Sequence, residues 1–205
     1  MKAIQRDFLP PDLEAEIRKV GIDGVVSVQA RQSTQETQEL LAYAAQHQFV
    51  RGVVGWVPLV DPKVSAELEK FSGNRLLKGV RHVVHDEPDD NFILREDFNQ
   101  GISVLQPYGL VYDILIFERH LPQTLQFVDR HPRQPFVVDH LAKPRAKLNE
   151  MSPWKENILE LAKRPNVSCK VSGLATEADW TNWKPEQLKR YFDVVLEAFG
   201  PQRLL

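Results

Sequence analysis

The sequence predicts an α/β fold, a (β/α)8 TIM barrel whose first and last strands are lacking from this chain. Three observations carry that expectation. Six short Val/Ile-rich runs alternate with seven longer stretches of 3.6-residue periodicity. The runs begin at residues 23, 50, 77, 110, 135 and 166, spaced by 27, 27, 33, 25 and 31 residues, as parallel strands joined by helical crossovers would be. The chain opens on a helical stretch and stops at Arg203-Leu204-Leu205, where another strand is due, so one more strand at each end makes eight. An open doubly wound sheet of six strands is the alternative, although no Gly-rich phosphate turn follows the first run.

Each element has its own signal. Leu13, Ile17 and Val20 form one stripe of a helix over Pro11–Val20. Asp23–Ala30 is the first apolar run. Ser33 and Glu36 form a capping box ahead of Leu40, Leu41, Ala44 and Ala45. Val50–Val57 follows, and Asp61-Pro62 caps a helix carrying Val64, Leu68 and Phe71. Leu77–Val84 and Leu110–Phe117 enclose a helix at Asp97–Pro107, and Leu121–His131 is helical before the run Pro135–His140. Ser152-Pro153 opens a helix with Trp154, Ile158 and Leu161 before the run Asn166–Ser172. The last helix, Pro185–Phe199, is closed by Gly200-Pro201. The runs are mostly continuous rather than alternating, which suits strands covered on both faces.

Composition bounds the function. The 205 residues form a single domain, 1–205, with 42% hydrophobic and 26% charged residues. A net charge of −2 provides no footprint for nucleic acid or an anionic membrane. No run reaches the roughly 18 apolar residues of a membrane span, and the N-terminal MKAIQRDFLPP lacks the apolar core of a signal peptide. The lone Cys169 excludes an internal disulfide framework and fits a reducing, cytoplasmic setting.

In a barrel the chemistry sits where strands end, and the polar and ionisable residues there are Gln29, Arg31, Arg81, His82, His85, Asp113, Asp139, His140, Lys143, Lys170 and Ser172. His140, directly after PFVVD, can relay a proton, bind a divalent metal, or simply bond a loop carbonyl. Adjacent strand residues face opposite sides, so only one of Arg81 and His82 can line the mouth. Arg81 can clamp oxygens of a substrate, or pair with a carboxylate such as Asp113. Lys170 is placed mid-strand, where burial demands a partner or a shifted pKa. Trp56 can stack on a sugar ring or pack in the core. Cys169 is expected to be inert, His47, His120 and His131 to lie at the surface, and Trp180 and Trp183 to cover the pocket. The acidic stretch His85–Asp90 suggests either a metal cluster or, as such runs usually are, a solvated loop.

At these residues the sequence resembles a known family. DFLPPDLEAEIRKVGIDGVVSVQARQSTQET, RGVVGWVPL, LKGVRHVVHDEPDD, YDILIF, PFVVDHLAKP and VSCKVSGLATEADW resemble the amidohydrolase-related hydrolases of the sugar-lactonase type, including the L-fuconolactonase and L-rhamnonolactonase group. The resemblance implies a hydrolase that opens a small sugar lactone by water attack on the ring carbonyl. One divalent metal, zinc or similar, is its implied cofactor. It implies His140 as the catalytic or metal-binding group, with Arg81, His82, Lys170, Trp56 and Asp113 binding the substrate. It also implies a His-x-His strand before this chain and a GSDWP-like strand after it, neither of which is in the sequence. The competing expectation is a catalytically incomplete barrel of negligible lactonase activity that binds a sugar acid, or associates with copies of itself through open sheet edges.

Overall fold

The computed structural model describes residues 5–71 and 73–205. Six strands form one all-parallel sheet in which every strand neighbours the next in sequence: β1 (Val25–Val28), β2 (Val50–Gly55), β3 (Leu77–Val83), β4 (Val111–Leu115), β5 (Phe136–Val138) and β6 (Val167–Cys169). The strand order is that of a barrel wall, not the reordered sheet of a doubly wound fold. The sheet curls. Arg81 on β3 donates to the carbonyl of Gln29 beyond β2, and also reaches Asp139 beyond β4. Next-but-one strands in a flat sheet lie about 9.6 Å apart, twice the usual spacing, so only a concave face brings such groups together.

Seven helices cover the outside: α1 (Pro10–Lys19), α2 (Thr34–Gln46), α3 (Val64–Glu69), α4 (Glu96–Ser103), α5 (Leu121–Arg130), α6 (Trp154–Leu161) and α7 (Pro185–Phe199). Their signals act where the sequence put them, with local differences. Ser33 Oγ accepts from the Glu36 amide at 3.1 Å, but the Glu36 carboxylate bonds the amides of Ala30 and Arg31 instead of closing the capping box. Asp61 accepts from the Lys63 amide at 2.8 Å, and α3 starts only at Val64. α4 ends at Ser103, because Pro107 lies in a separate short turn, Gln106–Tyr108.

Parallel register assigns the two faces. Val80, Tyr112, Phe136 and Val167 stand side by side toward the helices, as do Ile114, Val138 and Cys169, all essentially buried. Tyr112, Phe98, Phe127 and Phe136 meet there edge to face, with centroids 5.2–6.3 Å apart. The concave face carries Arg81, Asp113 and Ser168 in the same register. Arg81 and Asp113 fall on the inner side, whereas Lys78 shares the outer parity of Val80.

The two sheet edges differ. β1 pairs only with β2 among the described residues, and Val26 is half exposed beside it. β6 receives Leu204 in a parallel bridge to Cys169, with Leu205 N–H donating to the Cys169 carbonyl at 3.0 Å and Val171 N–H to the Leu205 carbonyl at 2.8 Å. The expectation of two wholly open edges thus holds for β1 alone.

Candidate active site

Four charged side chains converge at the C-terminal ends of β3 to β6. β3 and β4 align Arg81 with Asp113, Asp139 follows β5, and Lys170 follows β6. Arg81 Nη1 donates to Asp139 Oδ2 at 2.8 Å, Lys170 Nζ lies 2.7 Å from Asp139 Oδ1, and Lys170 also pairs with Asp113 Oδ2. Gln29, buried on β1's end, returns its amide to the Arg81 carbonyl at 3.2 Å. The carboxylates lie deepest, with side chains 0% exposed for Asp139 and 3% for Asp113, against 13% for Arg81 and 22% for Lys170. Two cations over two carboxylates leave no uncompensated buried charge, the only economical arrangement at this depth. Of the two expectations for Arg81, a substrate clamp or an ion pair with a carboxylate such as Asp113, the structure shows an ion pair with a different carboxylate. It is Asp139 instead, because the curl brings β5 within reach of β3 and leaves Asp113 to Lys170.

The cluster perturbs its own members. Burial raises the Asp113 carboxyl to about 6, while the Lys170 ammonium works against that rise. For Lys170, burial favours the neutral amine, but Asp113 and Asp139 outweigh it and the net shift is upward. Such a pairing keeps Lys170 charged at the mouth of the barrel.

His140 stands beside this cluster on an unusual turn. Four consecutive residues, His140, Leu141, Ala142 and Lys143, have φ of 53°, 55°, 56° and 49°, a left-handed conformation that costs an L-residue roughly 1–2 kcal/mol. The surroundings hold it there. Leu141 and Ala142 are fully buried, Leu141 N–H donates to the Lys170 carbonyl at 3.3 Å, and the buried Trp154 indole donates to the Leu141 carbonyl at 2.7 Å. His140 Nδ1 bonds Ser172 Oγ at 2.8 Å. Burial lowers the His140 pKa, Asp139 resists, and the Lys170, Lys143 and Arg81 charges lower it further. The ring is accordingly neutral at neutral pH.

The other expected residues fall elsewhere. His82 points to the helix side, its ring stacked on Phe92 at 4.9 Å with Phe98 at 5.8 Å. Trp56 donates its indole N–H to His82 Nδ1 at 3.3 Å, so Nε2 carries the ring proton toward Glu87 Oε1 at 2.6 Å. Of the adjacent pair, only Arg81 shares the face of the acidic cluster. Trp56 is thereby half-buried and tethered. His85, at the end of β3, packs on Phe117 with centroids 4.7 Å apart, and burial first, then Lys143, lowers its pKa to about 4. His120, expected at the surface, is fully buried and bonds Asp90 at 2.9 Å. Trp180, 79% exposed, lines a surface cleft with Arg145, Leu148 and Thr176, apart from the charged cluster. Cys169 is buried, and burial pushes its thiol up to about 12, as an inert core cysteine requires.

A family model described as amidohydrolase matches residues 2–205. The chain belongs to the amidohydrolase family. Two curated relatives named L-fucono-1,5-lactonase, from Burkholderia multivorans and Burkholderia ambifaria, are each 36% identical to it across its whole length, which corresponds to 72% and 70% of theirs. A crystal structure of an amidohydrolase from Burkholderia multivorans with bound HEPES superposes with a TM-score of 0.92 at 36% identity, covering all of this chain and 74% of that one. A second, with bound zinc, gives 0.92 at 37% identity with the same coverage.

The zinc-bound amidohydrolase raises the question of which residues here would hold a metal. His140 offers Nε2. Asp113 and Asp139 are already neutralised by Lys170 and Arg81. Among the described residues, no three His, Cys, Asp or Glu side chains are grouped as a metal ion needs. These residues do not fit a metal centre by themselves.

Sequence reasoning singled out Arg81, Asp113, Lys170 and His140 because charges inside apolar runs are conspicuous. It noted Gln29, Asp139 and Ser172 at strand ends without giving them a role, and it did not include Gly173. The signal for Asp139 was its position one residue before His140 at a buried strand's end. Gly173 carried none, since a glycine after a strand reads as an ordinary loop.

Proposed function

We propose that this amidohydrolase chain opens a small sugar lactone, with its site at the C-terminal ends of β3 to β6. The observation that carries the reading is the Arg81–Asp139–Lys170–Asp113 cluster with the neutral His140 beside it. The 36% identity to two proteins named L-fucono-1,5-lactonase supports the substrate class. In the reaction, water adds to the lactone carbonyl, the ring C–O bond breaks, and the ring oxygen leaves as a hydroxyl of the sugar acid. The product gains a negative charge. Lys170, kept cationic by Asp113 and Asp139, binds the carbonyl and the carboxylate that forms from it. Arg81 braces the same region from beneath. His140, through the ring nitrogen not held by Ser172, acts on the carbonyl or on the attacking water. Trp56 and His82 support the wall from the helix side.

A second reading, binding of a sugar acid without turnover, is favoured by the same pairing. Both buried carboxylates are engaged by cations, which leaves neither free to take a proton from water. Association of copies through the open edge of β1 belongs to this reading.

Proton release from L-fucono-1,5-lactone and other aldonolactones separates the two, measured beside calorimetric binding of the matching acids. On the first reading the wild-type chain turns lactone over and His140→Ala loses about 10²–10⁴-fold in rate. Binding of the acid with no turnover selects the second. Absence of both, or turnover indifferent to His140 and Lys170→Met, overturns the site.

A further inference from the structure

We propose that Lys143 is a second cationic ligand-binding residue of this site, its ammonium receiving the carboxylate of a sugar acid in exchange for a loose contact with Glu177. The proposal rests on the reading of the site as one for a sugar lactone and its acid, since ring opening creates a carboxylate beside His140. That reading gives Lys143 no part.

Lys143 reaches the site on the same turn as His140. Its amide donates to the His140 carbonyl at 2.8 Å and closes the left-handed turn, with φ 49° at Lys143 itself. Leu141 and Ala142 are buried, so the two polar side chains of the turn, His140 and Lys143, are the half-buried ones. Left-handed backbone at residues other than glycine gathers at active sites and ligand clamps. The Lys143 ammonium lies over the Phe117 ring, 5.1 Å from its centroid, and 3.6 Å from Glu177 Oε1. An ammonium has three N–H donors and no acceptor, so its hydrogen-bonding role is fixed. Among the described residues none of the three is used: Phe117 offers only a ring face, and 3.6 Å is too long for a hydrogen bond. The side chain is nevertheless only 19% exposed. A cation so far withdrawn from water needs more than a ring and one distant carboxylate. Lys170 differs, being bonded to Asp113 and lying 2.7 Å from Asp139. Lys143 is thus a cation with donors to spare, close enough for its charge to act on both His140 and His85. The group it already faces is a carboxylate. A ligand carboxylate, untethered to the chain, can close the gap that Glu177 leaves and form the shorter, charge-assisted bond.

Calorimetric titration of the full chain with L-fuconate and with its uncharged amide, L-fuconamide, tests the assignment. Lys143→Met should weaken binding of the acid by about 10–100-fold, the range for a hydrogen bond to a charged group, and leave the amide unchanged. Lys143→Arg should keep the preference for the acid. Glu177→Gln removes the competing carboxylate and should tighten the acid, a sign opposite to that expected if Lys143 and Glu177 form a purely structural pair. Lys143→Met leaves Glu177 without its cation, so Lys143→Met/Glu177→Gln supplies a charge-balanced variant in which the same loss of acid preference is expected even if the single variant fails to fold. Equal weakening of acid and amide, or weaker acid binding in Glu177→Gln, overturns the proposal. Turnover of L-fucono-1,5-lactone with acid binding indifferent to Lys143 also overturns it and leaves the lactone reading in place. A wild type that neither opens an aldonolactone nor binds a sugar acid, yet prefers lactate to lactamide through Lys143, keeps the cation site and sinks the sugar-lactone reading. Binding of no acid at all overturns both.

Discussion

Replacing Lys170 by methionine strands two carboxylates in the sheet interior, since Asp113 and Asp139 both lean on its ammonium. Breaking a buried pair from one side costs about 3–5 kcal/mol, so urea unfolding of Lys170→Met should show a loss of that order, partly recovered in Lys170→Met/Asp113→Asn. Asp113 makes a pH prediction of opposite sign to an ordinary surface carboxylate. Its folded pKa, about 6, lies above the ordinary carboxyl value of 3.8. The folded protein therefore binds the proton more tightly, and the contribution of Asp113 to stability, complete below pH 4, declines as pH rises to about 6 and is flat beyond. The stability difference between wild type and Asp113→Asn should fall by on the order of 2–3 kcal/mol across that window. A difference that rose with pH would show that Lys170 outweighs burial. The charges themselves were legible in the sequence because Arg81, Asp113 and Lys170 interrupt apolar runs. Their pairing was not, because it depends on how far the sheet curls. Strand parity separated Arg81 from His82 but could not say which side was the mouth.

Helix boundaries show what local chemistry specifies. Ser33 caps α2 through the Glu36 amide, and Ser33→Ala should lower stability by about 1 kcal/mol in thermal unfolding. The site end of α2 is also stitched to β2, with Thr37 Oγ1 accepting from the Trp56 amide at 2.8 Å and donating to its carbonyl at 2.9 Å. A threonine buried in a helix is the reason, and nothing in its sequence neighbourhood marks it. α4 offers a sharper contrast. Glycine to alanine within a helix ordinarily stabilises by up to about 1 kcal/mol. At Gly101, however, a Cβ would lie 1.9 Å from the Leu59 carbonyl oxygen, a backbone atom that cannot turn away. Gly101→Ala should therefore destabilise by about 1–3 kcal/mol, the cost of overpacking, and a rise in melting temperature would refute the close approach. Caps and apolar stripes thus located six of the seven helices to within a few residues. α4 was overextended because Pro107 and its short turn continue the periodicity beyond Ser103.

Across the whole molecule, the regular spacing of strand runs was enough to read a barrel wall, because parallel neighbours joined by helices leave few other topologies. What spacing could not show is the asymmetry of the edges. β1 presents its outer edge beside the exposed Val26, Phe8, Leu9 and Leu13, whereas Leu204 and Leu205 lie along β6. Sedimentation velocity should show association that grows with concentration and is suppressed by Val26→Lys, a charge that blunts strand addition. Association unchanged in that variant would locate the contact elsewhere. The strand order has a consequence for how the molecule is made. Every strand docks on the one synthesised just before it, so the wall can be laid down in the direction of translation, each unit finding its template already exported. The charged cluster follows a different schedule. Arg81 reaches 58 residues ahead to Asp139, and Asp113 57 residues ahead to Lys170. A ribosome will have delivered most of the scaffold before the first counter-ion arrives, so the nascent wall must carry Arg81 and Asp113 unsatisfied for several seconds, at the roughly 5–20 residues per second of synthesis. The charged cluster closes only when Lys170 arrives, with the sixth strand of the wall.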